Sequence, residues 1–395
     1  MSVLLLYSLT LLAAVLLSGL AQRSMLSTAV LFLVAGIGAA ICGALDIRAS
    51  DPSVAILAEL ALISVLFTDG MKTGASDLLR AWSLPGRALL LGMPLAVLGN
   101  GLAAALVGRL DWPAAFLVGA ALSPTDPVFA AAIVGSQRVP WRLRQLLNVE
   151  SGLNDGLALP IVLALLGVMG ASDTHLHQVV IQLIVGAAIG VVVPWAAAWL
   201  ATRRWLTASR LYEPILPVAV VLLVYSLCEM ANGNVFIATF AAGITLATVG
   251  PEVSKSFGEL GDWVSELLKL AALLLFGGYF AMNVLHEVGW HGIAFALLTL
   301  VVVRPVALGL ALLGSKMPWR ERVAAAWFGP KGFASVVFGL LILKTDLPYR
   351  QHYFELIALT IVGSIVAHSS TDVLVARWFT PETQVPKPNP AEASA

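Results

Sequence analysis

The sequence predicts an all-α, polytopic membrane protein with about thirteen transmembrane helices. Hydrophobic residues make up 59% of its 395 residues and charged residues only 12%, whereas a soluble domain carries about 25% charged residues. Apolar runs recur along almost the whole chain, and each helix that crosses a bilayer needs about 20 such residues. Lys plus Arg equals Asp plus Glu at 23 each, and no basic segment indicates a nucleic-acid partner.

Thirteen apolar segments are long enough to be spans, with ends defined to about three residues. They are 3–20, 25–44, 53–71, 86–108, 113–135, 143–168, 177–201, 213–230, 234–250, 263–285, 290–313, 319–343 and 353–379. The first lacks the basic region of a signal peptide, so we interpret it as a span. Residues 253–262 are predicted to form a short amphipathic connector along the membrane surface. Residues 1–380 therefore form a transmembrane domain, and the polar, Pro-rich residues 381–395 form a short disordered cytoplasmic tail.

The basic residues predict the orientation, because Lys and Arg concentrate in cytoplasmic loops. With the N-terminus outside, sixteen of the 23 Lys and Arg residues fall in cytoplasmic loops and four in outer loops. Three lie inside spans, namely Lys269, Arg304 and Lys331. We expect an integral protein of a bacterial inner (plasma) membrane, with the N-terminus outside and the C-terminus cytoplasmic.

Two spans contain helix-breaking residues near their middle. The fifth is interrupted at Ser123-Pro124-Thr125-Asp126-Pro127 and the twelfth at Gly329-Pro330-Lys331-Gly332. Proline removes a backbone donor and clashes with a continuing helix. The two spans are seven apart in order and therefore cross the membrane in opposite directions. Such a pair predicts inverted repeats with two broken crossing helices and a binding site near the midplane.

Charged residues lie beside these interruptions, at a depth where a charge costs roughly 3 kcal/mol. At 1.5 Å per residue, Asp155 lies roughly 18 Å from the cytoplasmic end of the sixth span. Its carboxylate can hold a proton or a hard cation, which prefers oxygen ligands. Ser151 shares its helix face, and Asp126 and backbone carbonyls near Thr125 could complete the set of ligands. The alternative, strongest for Asn154 and Ser151, is that these side chains only join helices through hydrogen bonds.

The remaining buried charges need partners. We predict a structural ion pair between Glu150 and Arg304, because a lone buried charge is costly. Lys331 is predicted to compensate the charge of Asp126 at the broken helix. Asp69, at the end of the third span, either guards an inner funnel or is simply solvated.

Two further sets of residues are expected to play no part in the site. Lys269 is placed nearer a helix end and is expected to snorkel to the interface. Five histidines lie in or near the predicted outer loops, where they either sense pH or, as the favoured interpretation, are ordinary surface residues. They are His175, His177, His286, His291 and His352.

At these residues the chain resembles the cation/proton antiporters, in particular the NhaP-like sodium/proton exchanger branch with an Asn-Asp pair. The specific parts are 123–127, 150–155, Arg304-Pro305 and 329–332. The resemblance implies a homodimer in a lipid membrane, a thirteen-helix inverted-repeat fold and alternating access. It also implies a cation site and the pairing of Glu150 with Arg304. The site residues it implies are Asp155, Ser151, Asp126 and the Thr125 carbonyl.

The chain departs from the family pattern at two positions. Lys331 stands where the family often has Arg, which keeps the charge but loses the planar guanidinium. Thr68 stands where the family often has an acid, and Asp69 follows it.

The expected function is exchange of Na⁺ for H⁺ by alternating access, in pH and sodium homeostasis. We expect one cation per proton, because Asn154 leaves Asp155 without a titrating neighbour on its helix. The transported ion can also be K⁺ or Li⁺, so a K⁺/H⁺ antiporter is the alternative, and no cofactor or enzymatic activity is expected. An intramembrane aspartyl protease would explain two buried aspartates, but its Gly-x-Gly-Asp signature is missing. A channel would need a continuous pore.

Overall fold

The computed structural model describes residues 3–21, 28–45, 52–72, 83–126, 133, 136–170, 176–201, 203, 209 and 212–379. All regular elements within these ranges are helical. The main helices are α1 (Val3–Ala21), α2 (Thr28–Ile41), α3 (Pro52–Lys72), α4 (Pro85–Leu106), α5 (Trp112–Ala121), α6 (Trp141–Val168), α7 (Leu176–Ala201), α8 (Leu216–Ala231), α9 (Val235–Val249), α10 (Pro251–Asn283), α11 (Trp290–Ala311), α12 (Trp319–Trp327), α13 (Phe333–Leu343) and α14 (Arg350–Ala376). Pro127, His175 and the predicted tail 381–395 lie outside the described residues.

Seven helices in the described ranges are long and apolar enough to cross a membrane, and five shorter apolar helices accompany them. In the most apolar windows of α7 and of the segment 213–231, only 22% of the residues are buried, against 67% in 256–283. The exposed side chains of α7 include Ile184, Val192 and Trp195. Large apolar side chains exposed along whole helices suit a lipid environment. The chain is thus a polytopic, all-helical integral membrane protein.

The segment 253–262 is not the separate surface connector that the sequence predicted. It is continuous with the following span in the 33-residue helix α10. Part of its apolar surface packs on α3: Phe257 is buried, and its ring lies 5.8 Å from that of Phe67. Lys72 Nζ pairs with Asp262 at 2.6 Å. These contacts with α3 hold the first turns of α10 in line with the rest.

Close backbone contact holds α3 against α9. A Cβ on Gly243 would lie 2.3 Å from Phe67 O, and a Cβ on Gly70 would lie 2.6 Å from Phe240 O. Small residues permit such a close approach of two backbones. The resulting van der Waals packing drives helix association in a membrane, where lipid is as apolar as the side chains and burial gives no hydrophobic gain. The contact positions the end of α3, which carries Thr68 and Asp69.

Four spans depart from regular α geometry at matching places in the two halves of the chain. In α4, the residues Ala88–Gly92 form a π-helical turn just before Met93-Pro94. In α11, Thr299–Val303 form another just before Arg304-Pro305. After each of these helices comes an interruption: α5 ends at Ala121 and 122–126 is non-helical, while 328–332 separates α12 from α13.

Candidate functional site

The two interruptions touch each other through backbone hydrogen bonds. Asp126 N–H donates to Pro330 O at 2.9 Å, and Phe333 N–H donates to Asp126 Oδ2 at 3.3 Å. A Cβ on Gly332 would lie 1.9 Å from Asp126 Cβ, so the two interrupted segments approach each other as closely as glycine permits. Because Phe333 begins α13, the Asp126 carboxylate also faces the partial positive charge of that helix end.

Side chains of α6 form hydrogen bonds with Thr125 in the first interruption. Asn154 Oδ1 accepts the Thr125 N–H at 3.3 Å, and Asn154 Nδ2 donates to Thr125 Oγ1 at 2.8 Å. Ser151 Oγ lies 3.0 Å from the same Thr125 hydroxyl. Backbone groups released by a broken helix need such partners at membrane depth. The structure therefore brings Thr125, Ser151 and Asn154 together, and the amide of Asn154 braces the interruption.

Asp155 lines a cavity of about 590 Å³ that also includes Asp126 of the interruption. It is buried, and its Oδ1 has no hydrogen-bond partner in the part of the chain that the structure describes. The cavity is lined by five carboxylates and two ammonium groups, namely those of Asp69, Asp126, Asp155, Asp262, Glu266, Lys72 and Lys269. An excess of carboxylate oxygens suits a hard cation rather than an anion.

The cavity is also lined by Thr68 and Ser265, which belong to a polar contact between α3 and α10. Ser265 Oγ lies 2.7 Å from Ser64 Oγ and 3.1 Å from Thr68 Oγ1. Half-buried Asp69 lines the same space. Of the two interpretations of Asp69, a funnel residue or a solvated helix end, its placement favours the funnel.

Lys269 does not snorkel to the interface as the sequence analysis expected. It lines the cavity, and its Nζ pairs with Glu266 Oε2 at 2.9 Å with 14% of its side chain exposed. Asp126, Asp69 and Asp155 all interact with it electrostatically. The expectation is wrong because α10 begins at Pro251, which places Lys269 near the middle of a helix rather than near its end.

Glu150 and Arg304 are in direct contact. Arg304 Nη1 lies 2.5 Å from Glu150 Oε1, and their side chains are 4% and 3% exposed. A Cβ on Gly329 would lie 2.2 Å from Arg304 Nε, so the guanidinium packs directly on the second interruption. The pair thus joins α6 and α11 to the broken twelfth span.

Lys331 is fully buried within the second interruption, 1% exposed. Its Nζ has no hydrogen-bond partner among the described residues, and the charged groups that act on it are Arg304 and Glu150. Its predicted compensation of Asp126 therefore stays a prediction, because no contact between the two side chains supports it.

The sequence analysis overlooked His368, which is 1% exposed and lies on α14 beside the second interruption. Its Nε2 lies 3.0 Å from Trp327 O, and its Nδ1 lies 3.1 Å from Ser364 Oγ. Ser364 Oγ in turn accepts the Lys331 N–H at 2.7 Å. The rule that singled out the buried acids applies equally to a histidine inside a span and could have found it.

Comparison with known proteins places the chain among transporters. The family described as "Sodium/hydrogen exchanger, transmembrane" matches residues 9–377. The K⁺/H⁺ antiporter NhaP of Alkalimonas amylolytica is 27% identical over 361 residues, which cover 90% of this chain and 62% of that protein. The Na⁺/H⁺ antiporter ApNhaP of Aphanothece halophytica is 24% identical over 369 residues, 86% of this chain and 67% of that protein. The chain thus spans about two thirds of the length of these curated relatives.

The fold is shared with a solved structure. That structure is the sodium proton antiporter MjNhaP1 from Methanocaldococcus jannaschii at pH 8, with a TM-score of 0.79 and 19% identity. The match covers 95% of this chain and 97% of that one. At this identity the likeness shows a common fold.

Proposed function

Since this chain belongs to the family of transmembrane sodium/hydrogen exchangers, we propose that it is a secondary active antiporter that exchanges a monovalent cation for protons. The observation that carries the proposal is Asp155, a buried carboxylate with one unpartnered oxygen in an acidic cavity beside two crossed interruptions. The family is one of transporters, so the intramembrane protease weighed from the sequence is set aside.

Asp155 is the group that holds either the proton or the cation. In the cation-loaded state, carboxylate oxygens of Asp155 and Asp126, the Ser151 hydroxyl and the Thr125 carbonyl would supply hard oxygen ligands. In the proton-loaded state the Asp155 carboxyl is neutral. Both loaded forms carry the same charge, and each can cross between the two faces of the membrane. Asn154 and the Glu150–Arg304 pair keep the interruptions in place during this exchange.

The architecture proposed for this transport has thirteen spans in two inverted repeats. Support comes from the paired departures from α geometry: the π-helical turns before Pro94 and Pro305 lie in spans four and eleven, and the interruptions lie in spans five and twelve. Each pair is seven spans apart, as inverted repeats require. The N-terminus is placed outside by the positive-inside rule, in a bacterial inner membrane, and the protein is proposed to act as a homodimer.

Sodium is the proposed cation, and potassium is the alternative that relatives named K⁺/H⁺ antiporters favour. Oxygen ligands alone do not separate the two ions. The test is proton flux from purified protein in proteoliposomes that carry a pH-sensitive dye, with Na⁺, Li⁺, K⁺ or choline added outside at equal ionic strength. We expect flux with Na⁺ and Li⁺ and none with choline. Flux with K⁺ alone would move the assignment to potassium, and equal signals with choline would contradict antiport.

A further inference from the structure

Several backbone groups at the second interruption have hydrogen-bond partners on other spans. Asp126 N–H donates to Pro330 O, and Asp126 Oδ2 accepts from Phe333 N–H. Ser364 Oγ accepts the Lys331 N–H, and His368 Nε2 lies within hydrogen-bond distance of Trp327 O. Helix α14 therefore supplies a partner on each side of residues 328–330. An unpaired backbone group at this depth costs several kcal/mol, which makes Ser364 structurally significant as the partner of the Lys331 N–H. Trp327 O also accepts the Gly329 N–H at 3.0 Å, so His368 Nε2 is its second partner.

The hydrogen bonds define a chain of donors for the neutral imidazole. Ser364 Oγ accepts from Lys331 N–H, so its own proton is available for His368 Nδ1, 3.1 Å away. A neutral imidazole has one donor and one acceptor nitrogen. With Nδ1 as acceptor, Nε2–H donates to Trp327 O. In that tautomer Nδ1 also faces Ser364 O at 2.8 Å without a proton. In the other tautomer Nδ1–H donates to Ser364 O and Nε2 faces Trp327 O without a proton, so only the Nε2–H tautomer binds Trp327 O.

The same relation exists in the first half of the chain. There, α6 follows the interrupted fifth span and its Asn154 accepts the Thr125 N–H of the interruption. Here, α14 follows the interrupted twelfth span and its Ser364 accepts the Lys331 N–H. Each interruption is therefore braced by the next span along the chain, and the brace of the second one includes a histidine.

Aromatic contacts fix the imidazole further. The rings of Trp327 and His368 lie 5.3 Å apart, and Trp327 Nε1 donates to Thr371 Oγ1 at 3.0 Å. Two hydrogen bonds thus join Trp327, at the end of α12, to α14, and the imidazole ring has little freedom to turn.

We propose that His368, acting with Ser364, is a positioning residue of the exchange site. By holding Trp327 O and Lys331 N–H, the two residues set where Lys331 and the first turn of α13 lie, and that turn bonds Asp126. The proposal rests on the exchange function proposed above and adds a positioning role for two residues that are not among those lining the cavity.

The test compares variants whose amide nitrogen replaces one or the other ring nitrogen of His368. In His368→Gln the amide nitrogen reaches about the position of Nε2, so the bond to Trp327 O survives. In His368→Asn the amide reaches only the position of Nδ1, so that bond is lost. Ser364→Ala removes the partner of Lys331 N–H. The matched control is His352→Gln, because His352 is 47% exposed and lies in the first turn of the same helix, 16 residues before His368.

Sodium-driven proton flux is measured in proteoliposomes as KM and maximal rate, with thermal stability measured on the same preparations. We expect His368→Asn and Ser364→Ala to shift KM for Na⁺ or the maximal rate by about tenfold, the effect of one lost buried hydrogen bond. His368→Gln should stay within about threefold and His352→Gln should match the wild type. Wild-type flux tests the exchange function separately, before any variant is compared.

Kinetic constants for His368→Asn and Ser364→Ala within twofold of the wild type would overturn the proposal. Equal losses in the Gln and Asn variants, in proportion to lost folded protein, would also overturn it, because they indicate a purely structural role. Histidine ¹⁵N spectra of the detergent-solubilised protein give a readout independent of flux. The Nε2–H tautomer is expected for His368, and an Nδ1–H tautomer would contradict the proposed chain of donors.

Discussion

Phe333 N–H donates to Asp126 Oδ2 at 3.3 Å, so an acidic residue of one interrupted span caps the helix that follows the other interruption. The backbone of Asp126 also donates to Pro330 O. One residue thus binds the second interruption on both sides of Lys331. The crossing is fixed by directed hydrogen bonds, which makes the position of the Asp126 carboxylate sensitive to small displacements.

Gly332→Ala is expected to reduce exchange by about 100-fold, the effect of a displacement of roughly 1 Å at a reacting site. The reason is steric, because the added Cβ would lie 1.9 Å from Asp126 Cβ, while the backbone of Gly332 is extended at φ −123°. Gly38→Ala in α2 is the matched control, since a Cβ there meets nothing within 4 Å. Flux in proteoliposomes is the measurement, and wild-type rates for Gly332→Ala would refute the close crossing.

Glu150 and Arg304 are expected to behave as one unit in unfolding. Removing either partner leaves a buried charge and should cost about 3–5 kcal/mol. The double Ala variant should lose less than the two single losses combined, because the sites share the interaction. The control pair is Asp346 and Arg350, which are 3.2 Å apart but 102% and 41% exposed, and its coupling should stay below about 1 kcal/mol. Thermal unfolding in detergent is measured for the wild type, the two single variants and the double variant of each pair. Strictly additive losses of stability for the buried pair would exclude direct contact.

Lys269 and Glu266 should change cation affinity in opposite directions. The Lys269 ammonium lies in the acidic cavity and repels an entering cation, while Glu266 binds that ammonium. Lys269→Gln is therefore expected to lower KM for Na⁺ and Glu266→Gln to raise it, each by about threefold to tenfold, or roughly 1 kcal/mol. Exposed Lys344→Gln is the control. Shifts of the same sign in both variants would contradict competition between the ammonium and the cation.

Exchange is expected to be electroneutral, with one cation per proton. Asn154 contributes no titrating group, and its amide is already engaged with Thr125, so Asp155 has no second carboxylate beside it on the helix. The measurement is flux at membrane potentials set by potassium gradients and valinomycin, with sodium as substrate. The flux should reverse where the sodium and proton gradients match, whatever the voltage. A reversal point that moves with voltage would show that net charge crosses.

Much of the fold is predictable from sequence because a bilayer imposes length and polarity. Long apolar segments locate helices such as α6 and α11 to within a few residues, and prolines locate the interruptions. The contact between Glu150 and Arg304 is predictable for the same reason, since few partners exist for a charge inside a span. These inferences need only composition and depth.

Other features depend on which face a helix turns inward, and sequence leaves that open. The position of Lys269 follows from the continuity of α10 with the segment before it, which is decided by the packing of Phe257 on α3. The surroundings of Lys331 are set by Arg304 and Ser364, which lie on the spans before and after its own, and the sequence does not show which faces of those helices meet it. The role of His368 depends on two hydrogen bonds that no local pattern encodes.

The central claim is that Asp155 holds the exchanged ions, and Asp155→Asn tests it most directly. The variant keeps the size of the side chain but can neither titrate nor carry charge. It is compared in proteoliposomes with the wild type and with Asp346→Asn, which changes a fully exposed carboxylate. We expect sodium-driven proton flux in the wild type and in Asp346→Asn, and none in an Asp155→Asn protein that remains folded. Substantial sodium-driven proton flux by folded Asp155→Asn would contradict the account.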